Sequence, residues 1–255
     1  MKIEFDKVSK SYLRSDGTRH LVFNDVSLSS NQGDFVIFLG ESGCGKTTFL
    51  NMLAGFESPT TGTIRVDGKK VSDIHPSRTM LFQQPTLIPW LTVRENVSYG
   101  CRLRGDCERL NYRVTQFIEV MGLSGFEDAK PAELSLGMAQ RACLARALMG
   151  QPEILIMDEP FASLDTFTKA HIQEEMVNLW LSEQFTVVFV THDIEEATLL
   201  GNRVVLLGGN PAGIIDTFDI DLDYPRNVND PKFKGYKQDI LEKFKRSYVG
   251  NRRFL

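Results

Sequence analysis

The feature that most constrains this chain is one glycine-rich loop, Gly40-Glu41-Ser42-Gly43-Cys44-Gly45-Lys46-Thr47, which matches the pattern G-x-x-x-x-G-K-[ST] in full. The apolar stretch before it, residues 35–39, is typical of a buried parallel strand, and residues 48–53 after it are typical of a helix. A strand, a glycine-rich turn and a helix N-terminus together form a cradle for phosphate groups. The sequence therefore predicts a nucleotide site, with Lys46 on the β- and γ-phosphates and Thr47 on Mg²⁺.

Composition places the chain among ordinary globular proteins, with 255 residues, 42% of them hydrophobic, and a net charge of −4. Its longest apolar runs are too short to cross a bilayer, and no charged-then-apolar leader opens the chain, so we expect a cytosolic protein. The negative charge gives no bulk attraction to nucleic acid, and no nucleic-acid partner is expected.

The cysteines show no C-x-x-C spacing, which disfavours a metal site or a disulfide framework, so they are expected to be reduced thiols. They are Cys44, Cys101, Cys107 and Cys143.

A second signal is the apolar strand-like stretch 154–157, which ends in the adjacent carboxylates Asp158 and Glu159. Burying carboxylates is costly unless they have a cation or a proton to handle. Asp158 suits a water-mediated contact to Mg²⁺, and Glu159 suits polarising the water that attacks a phosphate. The structural alternative is that the two carboxylates cap a following helix. Asp165 follows a few residues later.

Three further side chains lie at or near predicted strands. Gln83 ends a short strand, where its amide suits Mg²⁺ or the attacking water, although a turn residue is the plain alternative. His192 ends the strand 186–190, at the edge where ligands bind in open α/β sheets, whereas a lone histidine is more often structural. Tyr12 has an aromatic face suited to stacking on adenine, with a half-buried tyrosine covering the sheet as the alternative.

From residue 93 to residue 150 the pattern becomes helical. Ser135 is a natural N-cap for a long helix, and Gly137 in its first turn costs about 1 kcal/mol relative to alanine. That cost indicates close backbone approach, and a helix N-terminus favours an anion. Before this region, the loop that carries Trp90 is either packing or a partner surface.

Beyond Asp219 the character of the chain changes, with Tyr224-Pro225-Arg226 and Asp230-Pro231 preceding a basic run. This run predicts an amphipathic helix that docks on the domain and has a solvated basic face; a membrane-surface or permease contact is the alternative. The apolar positions at helical spacing are Ile240, Leu241, Phe244 and Tyr248.

Taken together and in this order, the motifs resemble those of the ATP-binding-cassette (ABC) ATPases over residues 3–215. The resemblance implies an α/β fold with a RecA-like P-loop NTPase core, an N-terminal antiparallel β subdomain and an inserted α-helical subdomain near residues 90–150. It implies an ATPase domain at residues 1–219 and a C-terminal extension at residues 220–255.

By resemblance the Walker A loop comprises Gly40, Ser42, Gly43, Cys44, Gly45, Lys46, Thr47 and Thr48. The other implied motif residues are Tyr12 on adenine, Gln83 in the Q-loop, Ser135 and Gly137 in the signature, Asp158 and Glu159 as the Walker B pair, Asp165 in the D-loop and His192 as the switch histidine.

The resemblance also implies a chemistry, ATP hydrolysis with Mg²⁺ as cofactor. Thr47, Gln83 and Asp158 would hold the ion. Glu159 would activate water, and Lys46 and His192 would stabilise the γ-phosphate. In this family two subunits bind ATP head to tail, so a homodimer is expected, with Ser135 and Gly137 on the nucleotide of the partner.

The signature departs from the family pattern L-S-G-G-Q or L-S-G-G-M, because Leu136 replaces the first glycine and Ala139 stands where glutamine is common. A bulky Leu136 either weakens closure of the dimer or points away from the nucleotide. Since Ser135 and Gly137 are retained, we expect retained but slow ATPase activity.

Residues 82–97 resemble the nitrate/sulfonate/taurine branch of bacterial importers, and the tail around residues 224–231 is similar to that branch's C-terminal segment. The resemblance implies a peripheral subunit at the cytoplasmic face of the inner membrane that energises import of a small anionic solute. Its implied partners are transmembrane permease subunits and, indirectly, a periplasmic substrate-binding protein. The alternatives are an ATPase of a lipid-trafficking or export system, and a nucleotide-regulated module without turnover.

Overall fold

In the computed structural model the chain divides into two compact units. The first unit joins the residues up to His75 to those from Gln184 onward, and the second unit is Pro76–Glu183. The structure describes residues 2–106 and 108–251, with side chains up to residue 246. The predicted thiol of Cys107 and the predicted apolar helix position Tyr248 therefore lie outside the described side chains.

The N-terminal part of the first unit is mostly antiparallel sheet. β1 contributes buried Ile3, Phe5 and Val8 to the core. α1 packs on this sheet through Phe49, whose ring centroid lies 4.2 Å from that of Phe5 and 4.4 Å from that of Phe38. The elements are β1 (Ile3–Leu13), β2 (Arg19–Ser30), β3 (Phe35–Leu39), α1 (Lys46–Ala54), β4 (Thr61–Val66) and β5 (Lys69–Lys70).

The second unit combines two parallel strands with helices. β6 and β7 pair with Leu81 opposite Met157. The three helices after β6 lie in the stretch predicted to form a helical subdomain; the boundaries of that subdomain stay a prediction. α2 begins with a capping box in which Thr92 and Glu95 each accept a hydrogen bond from the other's backbone N–H. The elements are β6 (Arg78–Leu81), α2 (Val93–Arg104), α3 (Leu110–Val120), a 3₁₀ turn (Pro131–Glu133), α4 (Leu136–Met149), β7 (Ile154–Asp158) and α5 (Thr166–Glu183).

The remaining elements return to the first unit and complete its sheet, which runs in the order β5-β4-β1-β2-β10-β9-β3-β8. β3 is fully buried and parallel to both neighbours, β8 and β9, which explains its continuous apolar run. Helices and a mixed sheet in this arrangement confirm the predicted α/β fold. The new elements are β8 (Thr186–Thr191), α6 (Ile194–Leu200), β9 (Arg203–Gly209), β10 (Ala212–Asp219) and α7 (Pro231–Asn251).

The C-terminal helix α7 docks on the first unit, as its spacing predicts, with Phe233 and Ile240 fully buried. Leu241 and Phe244 are half-buried beside them. Across residues 2–106 and 108–251, we find no helix that combines the length and apolarity needed to cross a membrane.

The glycine that ends α1 permits a sharp test of local packing. Gly55 has φ of +90°, and a Cβ built on it would lie 2.2 Å from the carbonyl oxygen of Asp73. We expect Gly55→Ala to lower the free energy of unfolding by about 2–4 kcal/mol, measured by urea unfolding. Gly105 ends α2 with φ of +73° and open space around its Cβ, so Gly105→Ala should cost only about 1 kcal/mol. Equal losses in the two variants would contradict this account.

Candidate functional site

In the first unit, the glycine-rich loop of residues 40–47 (the phosphate loop) connects β3 to α1. The side chain of Lys46 closes this loop by hydrogen bonding to its backbone. The ammonium of Lys46 donates hydrogen bonds to the carbonyl oxygens of Gly40 (2.8 Å) and Glu41 (2.7 Å), and Lys46 is only 6% exposed. Gly45 has φ of +93°, and a Cβ there would lie 2.5 Å from Cγ1 of Val22. The loop is therefore a preformed turn that places a cation at a helix N-terminus, which fits the phosphates of a nucleotide.

Cys44 is a packing residue of this loop. Its sulfur lies 2.9 Å from where a Cβ on Gly40 would be, so it fills the space beneath the first glycine. Burial raises the pKa of the Cys44 thiol, although the charge of Lys46 opposes this shift. The thiol is therefore neutral at physiological pH and contributes volume, not charge, to the loop.

The parallel pairing of β3 with β8 brings His192 to the same sheet edge as the phosphate loop. Leu39 is opposite Thr191, and the N–H of Gly40 donates to the Thr191 carbonyl oxygen at 3.3 Å. Gly40 and His192 directly follow the ends of these two strands, and the His192 side chain is exposed. Two predicted site elements thus lie at one edge of the first unit.

Tyr12, near the end of β1, is held by two residues that sequence reasoning missed. Its hydroxyl donates to the carboxylate of Glu57, and the ammonium of Lys10 lies 4.9 Å over its ring. Lys10 and Glu57 also form an ion pair at 2.9 Å. Burial and the Glu57 hydrogen bond raise the pKa of Tyr12, so the phenol stays neutral. The i, i+2 spacing of Lys10 and Tyr12 on a strand was the available signal for their shared face.

In the second unit the register of β6 and β7 aligns the next group of predicted residues. Since Leu81 is opposite Met157, Gln83 and Glu159 both follow at the carboxyl end of this strand pair. Asp158 is 5% exposed, Glu159 is half-buried and Gln83 is exposed. Glu159 has φ of +45°, a left-handed conformation that costs a non-glycine residue about 1–3 kcal/mol and is typical of functional sites.

The predicted signature residues form the start of α4. Ser135 caps this helix, accepting a hydrogen bond from the Met138 N–H at 3.2 Å, as predicted. A Cβ on Gly137 would lie 3.4 Å from the Ser163 carbonyl oxygen, an ordinary van der Waals distance, so packing within this chain does not require a glycine there. Leu136 is 62% exposed and points away from the core.

Asp165, soon after β7, caps α5 in the second unit. Its carboxylate accepts a hydrogen bond from the Thr168 N–H at 3.1 Å. The hydrogen bonds from Thr168 lower the pKa of Asp165, so this carboxylate is ionised at neutral pH. Its charge thus complements the positive end of α5.

The loop after Gln83 is anchored on α4 by side chains to which sequence reasoning gave no such role. Nε2 of Gln140 donates to the Phe82 carbonyl oxygen at 3.2 Å, and the Thr86 N–H donates to the sulfur of Cys143 at 3.2 Å. Arg146 donates to the Thr86 hydroxyl at 3.0 Å. The spacing 140, 143, 146 on one face of a buried helix was the available signal.

Asn96, fully buried in α2, fixes the second half of the same loop. Its side chain accepts from the Ile88 N–H at 2.8 Å and donates to the carbonyl oxygens of Leu91 and Thr92 at 3.1 and 3.0 Å. The loop is therefore rigid at its base, while Trp90 within it is 74% exposed. An exposed aromatic on a fixed loop is typical of a contact surface.

The predicted Mg²⁺ ligands suit that ion by donor chemistry. Thr47 offers a hydroxyl oxygen, Gln83 an amide oxygen and Asp158 a carboxylate oxygen, which are hard donors of the type that Mg²⁺ prefers.

Comparison with known proteins gives consistent matches. The family model described as "ABC transporter" matches residues 23–162. The chain is 37% identical over 244 residues to the aliphatic sulfonates import ATP-binding protein SsuB of Bacillus cereus, with 96% of each chain covered. It is 38% identical over 248 residues to the nitrate import ATP-binding protein NrtD of Synechococcus elongatus, covering 94% of this chain and 90% of that protein.

Two solved structures of one ABC transporter cassette, MJ0796, share this fold at 30% identity, covering 87% of this chain and 100% of theirs. A dimeric structure of the cassette has a TM-score of 0.77. A dimeric post-hydrolysis state bound to ADP and phosphate has a TM-score of 0.75.

Proposed function

The chain belongs to the ABC transporter family of ATP-binding proteins, and from that membership we propose that it binds and hydrolyses ATP to energise a membrane importer. The observation that carries the proposal is the phosphate loop, in which a buried lysine cation stands at the first residue of α1. A preformed cation at a helix N-terminus suits the β- and γ-phosphates of a nucleotide.

The nucleotide would be held by the first unit and by a second copy of the chain. We assign the phosphates to Gly40, Ser42, Gly43, Cys44, Gly45, Lys46, Thr47 and Thr48. Tyr12 would stack on adenine with its ring fixed by Lys10 and Glu57, a support that lowers the entropic cost of binding. Ser135 and Gly137 would contact the nucleotide of the partner in a head-to-tail homodimer, with Asp165 beside them. The dimeric assembly of the related cassette supports this arrangement.

Hydrolysis would use side chains that leave the carboxyl ends of strands. Glu159 would orient and polarise the attacking water, and Lys46 and His192 would stabilise charge on the γ-phosphate. Mg²⁺, when bound through Thr47, Gln83 and Asp158, would neutralise phosphate charge. Leu136 is exposed, which supports an orientation of its side chain away from the protein core. In that orientation Ser135 and Gly137 would remain available to the nucleotide of the partner.

The relatives support the partners that we propose. The names of the sulfonate and nitrate relatives support a small anionic solute and import as the direction. We propose transmembrane permease subunits as direct partners, with the chain peripheral at the cytoplasmic face of the membrane, and a periplasmic substrate-binding protein as an indirect partner. The fixed loop with exposed Trp90 supports a permease contact. We assign the ATPase domain to residues 1–219 and a C-terminal extension to residues 220–255.

The test of this function is phosphate release from ATP by the purified chain, with Mg²⁺ and with excess EDTA. We expect turnover in Mg²⁺ and its loss in EDTA, because the ion neutralises charge that otherwise repels the attacking water. Magnesium restored after EDTA should restore the rate, which controls for unfolding. ATP binding without turnover, alone and with the permease, would contradict the proposal and favour a nucleotide-regulated module.

A further inference from the structure

The segment after Asp219 holds both ends of α6, the seven-residue helix that begins directly after His192 and Asp193. A helix of this length is marginal by itself in water and depends on tertiary contacts. Its first turn is capped by Asp193, whose carboxylate accepts from the N–H groups of Glu195 (2.9 Å) and Glu196 (3.3 Å). The position of His192 therefore depends on the end of β8 and on the start of α6.

Arg226 binds the carbonyl end of α6. Its guanidinium donates to the carbonyl oxygens of Thr198 at 2.7 Å and Gly201 at 2.6 Å. It also donates to the carbonyl oxygens of Ile220 and Leu222, both at 3.3 Å, and so ties the tail to the helix. The last carbonyls of a helix lack intrahelical partners, and a cation beside them is stabilising.

Two further contacts complete the support of α6. The Tyr224 ring lies 4.2 Å from the Arg226 guanidinium, and its hydroxyl donates to the Leu200 carbonyl oxygen at 2.7 Å. Burial raises the pKa of Tyr224 to about 12, so this hydroxyl remains a donor at neutral pH. At the other end of α6, Lys237 of α7 forms an ion pair with Glu195.

We propose that Arg226 and Tyr224 are positioning residues that hold α6 and thereby set His192 for ATP hydrolysis. The inference rests on the proposed function of His192. The chain before His192 is fixed by the pairing of Thr191 with Leu39, whereas the chain after it is fixed through α6. Without Arg226, the end of α6 loses the hydrogen bonds to its Thr198 and Gly201 carbonyl oxygens. A shift of about 1 Å in a catalytic side chain lowers a rate by up to about a hundredfold.

The first test observes His192 without any turnover. The chain has four histidines, so histidine-labelled protein gives a small set of ring signals in NMR, and His192→Gln identifies the one from His192. We expect Arg226→Gln to shift or broaden the His192 signal and to leave those of His20 and His171 unchanged. Tyr224→Phe removes only the hydroxyl bond and should give a smaller change, which keeps the test valid if Arg226→Gln folds poorly.

The second test measures ATPase kinetics of the same variants. We expect Arg226→Gln to lower kcat by about tenfold with KM for ATP kept within about twofold, and Arg226→Lys to restore part of the rate because it keeps the cation. The matched control is Arg203→Gln, which removes an arginine that bonds Asp219 and Ser29 in the same unit and does not bond α6.

The outcomes separate this inference from the proposed function. An unchanged His192 signal in Arg226→Gln overturns the inference, and so does a changed signal with an unchanged kcat. Equal loss of kcat in Arg203→Gln also overturns it, because the effect would then be general destabilisation. A parent protein without turnover contradicts the proposed function, and the positioning of His192 is then decided by the NMR signal alone.

Discussion

Glu159→Gln is expected to lower ATP turnover by about a thousandfold while ATP still binds, because an amide cannot accept a proton from the attacking water. The substitution is nearly isosteric, so the left-handed backbone at this position, φ of +45°, gains no new strain. The measurement is steady-state phosphate release, together with the dissociation constant of ATP by calorimetry.

The same variant tests the composite site of the proposed homodimer. If Ser135 and Gly137 contact the nucleotide of a partner, blocked hydrolysis should make ATP-bound dimers accumulate, and sizing in ATP and Mg²⁺ should detect them. Glu153→Gln is the matched control, since Glu153 is an exposed acid just before the other end of β7. Turnover like that of the parent would remove Glu159 from its proposed role. ATP binding without a dimer would contradict the composite site and would indicate that the bulky Leu136 prevents closure of the dimer.

Lys46→Met is expected to weaken ATP binding by about a hundredfold, which corresponds to about 2.7 kcal/mol. The physical reason is the loss of a charge-assisted contact to phosphate. The substitution keeps most of the apolar stem but removes the bonds to the Gly40 and Glu41 carbonyl oxygens, so the free loop should also loosen. Calorimetric titration with ATP and Mg²⁺ measures the effect.

A matched control separates the phosphate contact from a general loss of charge. Lys69 is exposed on β5, and Lys69→Met removes the same charge from the same unit away from the loop. We expect its ATP affinity to match that of the parent. Binding by Lys46→Met within about twofold of the parent would show that the buried ammonium serves only to close the loop.

The sequence predicted much of this protein because its strongest signals are local. The phosphate loop needs only neighbouring residues, and the cap at Ser135 needs only the next turn of chain. The apolar runs of β3 and β8 indicate strands buried on both faces, and parallel pairing then brings Gly40 and His192 to one edge. Family resemblance, confirmed by the relatives, supplied the roles that these patterns leave open.

Other features required the folded chain, because they join residues that are far apart in sequence. Tyr12 meets Glu57 across 45 residues, and no periodicity predicts that pair. Gln140 reaches Phe82 across 58 residues to hold the loop after Gln83. Such contacts depend on how elements pack, which a hydrophobic pattern does not specify.

By itself the sequence determined the family, the α/β class and the residues proposed for chemistry, since each is encoded in a short run with a fixed spacing. Only the tertiary structure decided which side chains support them. Arg226 reads in the sequence as part of a polar tail, yet in the fold it bonds the end of α6 across 28 and 25 residues. The physical reason is that a guanidinium binds whichever carbonyl groups the packing leaves without partners.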